Sequence, residues 1–570
     1  MQRWRGWVVP AWSAALALVV LAPLLGRGYV LTYDMVWVPQ LDLDRVEVWG
    51  LGTGLPRAVP SDAVAALLGH VVPAEIVQRL LLFLAFVLLS SGVARLLGDR
   101  RLAAQLAGAT FAVWNPYVAE RLVLGQWPML LALAAFPWLV WALNHRAGPQ
   151  WPIVVLALAG TALTPASGVM GVIVGVVAAW RITAIRVVVV AALLNAPWIV
   201  AGLRDVAQAR TDPAAAGLFE LQAEGVLGHL GSALTLGGIW NTEVVPTSRT
   251  LGVSAVLVAV IGAVTLLGLL AMCRDDRRLV AVLGVCGSIG LAVAVAGWLA
   301  PDLIARIIED VPAGGLVRDG TRWLALLVPL EAVGFGAGVG VLIGRVSGGA
   351  GRVVPAAVLA ALLPIAALPD AAWGVAGRLE PVTYPSAWAS AREVIERTQV
   401  PGDILVLPFS AYRRPQWNGG STVLDPAGRY FDRTTVTNDE LEVSGTVIRG
   451  EDRRAAAIGT ILDGGDVLAG LARRGIGVVV VETDAPGARA ALRTIAGAEE
   501  LDVDGTDVRV FTIPGAQPRP VAADDRRDMI LAWGAAGATL LLGVVGLLRR
   551  TLRRLHRKPA EHRPGKVSKT

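Results

Sequence analysis

Cysteine is almost absent: Cys273 and Cys286 are the two in 570 residues, one at the end of an apolar run and one inside the next, with no histidine or acid at ligand spacing. Neither a disulfide framework nor a cysteine metal site is expected. Charge is scarce too. Charged residues make up 17% of the chain against 55% hydrophobic, and the mean hydropathy of +0.59 is too high for a chain wholly surrounded by water. No Walker loop, dinucleotide fingerprint after a strand, His-Glu-x-x-His or Gly-x-Ser-x-Gly is present, so ATPase, redox, zinc-protease and serine-hydrolase readings have no support. The net charge of +6 does not mark a nucleic-acid binder, because Arg and Lys collect in short connections between apolar runs and in the tail from Arg549 to Lys569.

Long apolar runs are what the chain has instead. They cover residues 8–26, 76–97, 102–119, 127–143, 182–203, 251–272, 279–299, 323–343, 354–368 and 529–548. The stretch 151–180 is too long for one helix and is broken at Thr164-Pro165, which predicts two short spans in a hairpin. The expected fold class is therefore an all-α membrane bundle of about twelve spans. The first run resembles a signal peptide, but Gly26-Arg27-Gly28 is a poor cleavage site, so an uncleaved first helix is expected. With the N-terminus inside, Asp99-Arg100-Arg101, His145-Arg146, Arg181, the cluster 274–278, the segment 345–352 and the tail all fall in the cytoplasm, in keeping with the positive-inside rule. Both termini are then cytoplasmic in a multi-pass plasma-membrane protein.

The charge rule places the segments 27–75, 204–250, 301–322 and 369–527 outside. The last of these alternates in the manner of an α/β domain, with helices at 386–398, 452–462, 467–474 and 486–496, strands at 403–409 and 476–482, and a hairpin over 501–513 turned at Asp504-Gly505. Four parts follow: a polytopic core (1–372), an extracytoplasmic α/β domain (373–525), a C-terminal transmembrane helix (526–548) and a basic tail (549–570). Residues 412–420 and 430–438 read as exposed loops.

Three places could carry chemistry. In the first outer loop Asp34 is flanked by Tyr33 and Trp37 rather than by other charges, as a carboxylate held near the headgroups for general-base work would be; Asp42, Asp44 and Glu47 fit an ordinary solvated loop. Farther along, Ser61 and Asp62 open a short interfacial helix, where Asp62 serves either the helix N-terminus or a substrate. At the mouth of a later span, Arg318 and Arg322 lie one helical turn apart, able to grip a phosphate or to pair with Asp319 or Asp310. Glu120, Arg121 and Gln126 stand between two spans, where a headgroup or sugar would reach them, among Trp114, Tyr117 and Trp127, which suit an aromatic belt. Glu331 is the main charged residue set deep in a predicted span, too few for the usual ion-coupled carrier.

The first loop, the segment from Asn115-Pro116-Tyr117 to Gly125 and the Arg318 and Arg322 pair together resemble the C-type glycosyltransferase (GT-C) superfamily of actinobacterial membrane proteins, and the layout is similar to its YfhO-type branch. That resemblance implies transfer of a sugar from a polyprenyl-phosphate carrier to an envelope lipid or glycan acceptor, with Asp34 in the catalytic position and Arg318 and Arg322 on the donor phosphate. Membrane lipids and no nucleic acid are the other expected contacts. Many members carry paired acids here, whereas Asp34 is followed by Met35, so a divalent cation lacks its usual motif. Tyr33, Trp37, Asp62, Glu120, Arg121 and Gln126 are expected at the substrate. Trp417 and Tyr430, with Tyr412, Arg413, Arg414 and Arg433, are expected either to recognise the acceptor or to dock the α/β domain on the core. A lipid or glycan transporter, or a non-catalytic envelope assembly factor, is the alternative.

Overall fold

The computed structural model describes residues 2–205, 211–346, 350–443 and 445–556. Helix ends fall where the sequence supplies breakers. α1 (Gln2–Val20) gives way to a 3-10 turn containing Pro23. α2 (Ser61–Gly69) lies in the first long loop and leaves Leu67 and Leu68 exposed, as is Val71 just beyond its end. α3 (Ala74–Leu97) is followed by α4 (Leu102–Val113), which ends sooner than the expected span over 102–119. The reason is local. Pro116 has no amide to continue α4, and the Asn115 side chain accepts from Val118 N at 3.1 Å, starting α5 (Pro116–Val123).

α6 (Trp127–Leu143), α7 (Trp151–Thr161) and α8 (Pro165–Ala178) follow, with the expected break at Thr164-Pro165 capped by the Thr164 side chain. Then come α9 (Ile182–Asp205), α10 (Gly252–Asp275), α11 (Arg277–Leu299), α12 (Pro301–Asp310), α13 (Val328–Arg345) and α14 (Ala350–Ala367), the last bending by 78° into Pro369–Gly377. Among the described residues six helices are long and apolar enough to cross a membrane, or seven with the bent pair as one span; α6, α7 and α8 are apolar but shorter.

Small residues let these helices approach closely, as in membrane interiors. Gly268 of α10 lies directly on the backbone of α13 at Gly334 and Gly338, where a Cβ would find no room. The basic connections meet at one end of the helices: Arg100 pairs with Asp275 at 3.6 Å, and Arg278 donates to Ala178 O at 3.4 Å. The long connections gather at the opposite end.

There β1 (Tyr29–Val30), just after α1, pairs antiparallel with β2 (Pro381–Val382). Beyond it stand β3 (Asp403–Leu407), β4 (Tyr412–Arg413), β5 (Val423–Leu424), β6 (Thr435–Val436), β7 (Ile476–Glu482), β8 (Glu499–Leu501) and β9 (Val508–Thr512). Five of them form one mixed sheet in the order β8-β9-β7-β3-β6, in which β3 runs parallel to β6 and β7. Every residue of β3 and β7 is buried, which explains their apolar runs Ile404–Leu407 and Val478–Val481. Helices α15 (Ser386–Arg397), α16 (Arg453–Leu462), α17 (Val467–Arg473) and α18 (Ala488–Thr494) accompany the sheet, and Asp452 caps α16 through Arg454 N at 2.8 Å. α19 (Ala523–His556) closes the described chain and is tied to α9 by Arg204 and Asp525 at 2.7 Å.

The segments expected as exposed loops, 412–420 and 430–438, are in part buried. Arg413, Asn418 and Tyr430 are each 5% exposed or less. Arg413 is fixed between Asp425 at 2.8 Å and Glu482 at 3.1 Å, and β4 pairs with β5, so this region packs onto the core instead of facing solvent.

Candidate functional site

The long connections enclose a cavity of about 1020 Å³. It is lined by the first loop, the α5–α6 junction, the Thr164-Pro165 turn, the end of α9, the segment before α13 and the β4–β5 region. Every connection that the charge pattern assigns to the outer side therefore reaches one space. The lining is mixed in character. Trp37, Leu41, Pro128, Met129 and Trp198 are among its apolar lining residues, and Arg57, Glu309, Asp310, Arg318, Arg322 and Glu451 among its charged ones.

Asp34 lines this cavity and is held by two segments far from it in sequence. Its amide donates to Leu124 O at 3.1 Å. Tyr412 Oη donates to Oδ1 at 2.7 Å, and Gln126 Nε2 donates to Oδ2 at 3.3 Å. The neighbouring Tyr33 donates its amide to Thr422 O at 2.7 Å and accepts from Leu424 N at 2.8 Å, so the loop adds an edge to the β4–β5 hairpin. Gly125 permits the approach from the other side: its φ is +79°, and a Cβ there would collide with the backbone of Thr32 and Met35. Burial, and next the Asp34 carboxylate, push the Tyr412 phenol well above its ordinary value, which keeps it a hydrogen-bond donor at neutral pH.

Arg318 and Arg322 also line the cavity, but they do not begin a helix together. They lie in two successive 3-10 turns, with the Asp319 side chain capping Arg322 N at 3.2 Å. Arg322 pairs with Asp319 at 3.4 Å, whereas Arg318 reaches Glu451 at 3.4 Å. Asp319 is chiefly the partner of Arg121, which is 1% exposed and donates to both carboxylate oxygens, at 2.7 and 3.2 Å, and to Thr321 Oγ1 at 2.7 Å. The burial of Asp319 opposes its charge, but Arg121 and then Arg322 outweigh it and hold the carboxyl well below its usual range. Arg121 also donates to Gln126 Oε1 at 3.1 Å. That bond turns the Gln126 amide so that its nitrogen faces Asp34, and a continuous chain of contacts runs from Asp319 through Arg121 and Gln126 to Asp34.

Of the residues expected at the substrate, Tyr33, Trp37, Asp62 and Gln126 line the cavity, and Glu120, Arg121, Trp417 and Tyr430 do not. Tyr33 Oη donates to Glu243 at 2.6 Å, and Glu243 also pairs with Arg414 at 3.0 Å. Trp37 packs on Trp127 with ring centroids 5.4 Å apart. Asp62 pairs with Arg429 at 2.9 Å, beyond its place in the first turn of α2. Glu120 is buried, as are its neighbours Glu224 and Arg249, which pair at 2.9 Å. Trp417 and Tyr430 join Tyr384 and Trp388 in an aromatic cluster, Tyr384 lying 5.0 Å from Trp417 and 4.8 Å from Tyr430.

Two cavity residues escape a reading of the sequence. Arg57 binds Glu451 at 2.5 Å, and Glu451 also accepts from Thr211 at 2.7 Å. Burial and then Arg57 pull the Arg318 guanidinium down to about 10, which leaves it a cation at neutral pH. Burial works against the Glu451 charge, but Arg57 and Arg318 prevail and hold its carboxyl below the ordinary value. Arg57 had a signal of its own, an arginine in an outer loop against the charge bias, shared with Arg318 and Arg322. Glu451 had none. Among the described residues no group of three or more His, Cys, Asp or Glu is placed to hold a metal ion, and both oxygens of Asp34 accept hydrogen bonds, so the residues present do not fit a divalent cation there.

No protein-family model and no curated protein sequence matches this chain. Solved structures do. The cryo-EM structure of the arabinofuranosyltransferase AftD from Mycobacteria superposes with a TM-score of 0.56 at 18% identity, over 90% of this chain and 40% of that one. A mutant of that enzyme gives 0.54 at 18% identity, over 91% and 42%. This chain thus spans about two-fifths of the length of those structures. The likeness supports the GT-C resemblance of the sequence and lends nothing to the YfhO-type branch. At such identity it is a likeness of fold alone.

Proposed function

We propose that this chain is a membrane glycosyltransferase that moves a sugar from a polyprenyl-phosphate carrier to an envelope lipid or glycan outside the cytoplasm. The observation that carries the reading is that Asp34, Arg318 and Arg322, chosen from distant parts of the sequence, line one cavity together with apolar side chains. Asp34 takes the proton from an acceptor hydroxyl as the hydroxyl oxygen attacks the anomeric carbon. The bond from that carbon to the carrier phosphate breaks, its electron pair leaves with the phosphate, and Arg318 and Arg322 stabilise the growing charge. Tyr412 and Gln126 hold the base in place. The apolar lining residues suit the isoprenoid end of the donor, and the AftD likeness makes a pentofuranose the first sugar to try.

In this reading the chain crosses the plasma membrane about twelve times, with α4 and α5 together completing one crossing and α7 and α8 forming a hairpin. Both termini face the cytoplasm and the sheet faces out. The convergence of all the assigned outer connections on one cavity supports that orientation.

The test is Asp34→Asn in full-length protein reconstituted in nanodiscs, assayed with a farnesyl-phosphate-linked arabinofuranose and an oligo-arabinofuranoside. Transfer should fall at least about a hundredfold. Undiminished transfer by folded Asp34→Asn protein would sink the assignment of the base. Movement of an unaltered lipid-linked sugar across vesicles would favour the transporter instead.

A further inference from the structure

Glu482, the last residue of β7, is a buried acid outside the cavity: it is 2% exposed, and its Oε1 meets no hydrogen-bond donor. Its Oε2 lies 3.1 Å from Nε of Arg413, whose Nη2 donates to Asp425 at 2.8 Å. Asp425 stands within hydrogen-bonding reach of Glu482 as well, and Asp484, two residues farther on, brings a third carboxyl near. On the sheet side β9 faces Glu482 with Val508. Arg413 therefore meets two carboxyls that are 2% and 3% exposed, and with both ionised the cluster would bury an uncompensated negative charge. A proton between them removes that charge and gives the Glu482 carboxyl a hydrogen bond to make. Asp425 also accepts from Ala427 N at 2.9 Å, so the charge rests with Asp425 and the proton with Glu482. Burial, and next the neighbouring Asp425, push the Glu482 carboxyl well above its ordinary value, as that sharing requires.

We propose that Glu482 is a positioning residue for the candidate base, acting through Arg413 by means of the proton it shares with Asp425. The inference rests on the transferase reading, in which Asp34 is that base. Arg413 and Tyr412 are neighbours on β4, so their side chains leave the strand on opposite faces. Arg413 reaches β7, and Tyr412 reaches Asp34, to which its Oη donates at 2.7 Å. Arg413 also ties the hairpin together, since Asp425 directly follows β5, and the Asp425 amide donates to Ala411 O at 2.9 Å. The strand that presents Tyr412 is thus fixed from behind by Arg413, Asp425 and Glu482. When Glu482 gives its proton to solvent, two buried carboxylates repel each other across one guanidinium. The strand yields, and Tyr412 leaves the distance at which it holds Asp34.

The experiment compares the wild type with Glu482→Gln, both full-length in nanodiscs. Glutamine keeps a donor for Asp425 and cannot ionise, so the variant should transfer within about threefold of the wild type near pH 7.5. Between about pH 7.5 and about pH 9.5 the wild-type kcat should fall about tenfold further than that of Glu482→Gln, with farnesyl phosphate affinity equal in the two proteins at each pH. Arg318, drawn down to about 10, titrates alike in both, so the difference isolates Glu482. Asp425→Asn, which leaves Arg413 a single carboxylate, should lose the same alkaline fall and serves if Glu482→Gln does not fold. In a Tyr412→Phe background the difference should vanish, because the effect passes through that phenol. The infrared difference between wild type and Glu482→Gln near pH 7.5 should contain the C=O stretch of a protonated carboxyl. Coincident pH profiles overturn the proposal, as do a missing carboxyl band and a difference undiminished by Tyr412→Phe. Asp34→Asn separates the two readings. Full transfer by that variant with the carboxyl band intact fails the base, whereas transfer lost in that variant with the band missing fails the Glu482 proposal alone.

Discussion

Arg121→Met removes the central strut of the site while keeping much of its apolar stem. The wild-type guanidinium makes four hydrogen bonds, two to Asp319 and one each to Thr321 and Gln126, and is 1% exposed. Without it the buried Asp319 carboxylate keeps its bonds from Thr321 and the Arg322 amide and the 3.4 Å contact from the Arg322 side chain, none equal to a bidentate guanidinium. Breaking a buried pair from one side costs about 3–5 kcal/mol, because the remaining charge is stranded. Protonation of Asp319 would limit the loss and favours the lower end of that range. Removing both charges is different. Arg121→Met with Asp319→Asn should recover at least about half the loss, since Asn also serves as a helix cap and strands no charge. Reversible unfolding by sodium dodecyl sulfate in mixed micelles, followed by tryptophan fluorescence, would measure all three proteins. A single variant within about 1 kcal/mol of the wild type, or a double variant no better than the single, would refute the reasoning.

Three other outcomes follow from the same contacts. Tyr412→Phe deletes a hydrogen bond to a carboxylate worth about 1.5–3 kcal/mol, so transfer should slow by about 10- to 100-fold with farnesyl phosphate affinity unchanged; an unaltered rate would remove Tyr412 from the site. Glu451 is depressed in the folded chain below its ordinary 4.5, so it contributes stability that is fully present above about pH 4.5 and is lost as pH falls through the lower folded value. Unfolding midpoints taken from pH 6 to pH 3.5 should therefore decline less steeply in Glu451→Gln, and parallel slopes would contradict this. Tyr430→Ala should cost about 3–5 kcal/mol by opening the aromatic cluster, with acceptor KM unchanged, whereas a raised KM in a stable protein would restore the recognition role.

What the sequence disclosed depended on how far apart the interacting residues lie. The break at Thr164-Pro165 and the strand Ile476–Glu482 are written in adjacent residues, a proline with its cap and an apolar run between turns, and the structure has both. The end of α4 was equally local and still missed, because Asn115-Pro116 interrupts a run whose hydropathy continues to Ala119. Hydropathy reports the solvent of a segment, whereas the cap and the missing amide decide where its hydrogen bonds stop. Arg318 and Arg322 were legible as charges on the unexpected side, but their partners were not. Glu451 lies 133 residues from Arg318, and nothing near it in sequence marks it as a lid on two arginines.

The same distance decides how the candidate base is built. Asp34 lies 92 residues before Gln126 and 378 before Tyr412, and each supplies a donor to a different carboxylate oxygen. Neither donor would be in place alone. Gln126 presents its nitrogen only because Arg121 claims its oxygen, and Tyr412 reaches Asp34 because Tyr33 is stitched to the β4–β5 hairpin by backbone bonds. The β4–β5 segment is thus joined to the helical core at the proposed base, Asp34, beyond any part it has in recognising acceptors. It follows that loosening the hairpin, for instance by Asn418→Ala, which deletes a buried 3.2 Å bond to Leu31 O, should impair transfer without touching any cavity-lining group. A loss of roughly threefold to tenfold in kcat with unchanged farnesyl phosphate binding is expected, from about 0.5–1.5 kcal/mol of lost positioning. Full activity in that variant would mean that the core holds Asp34 unaided.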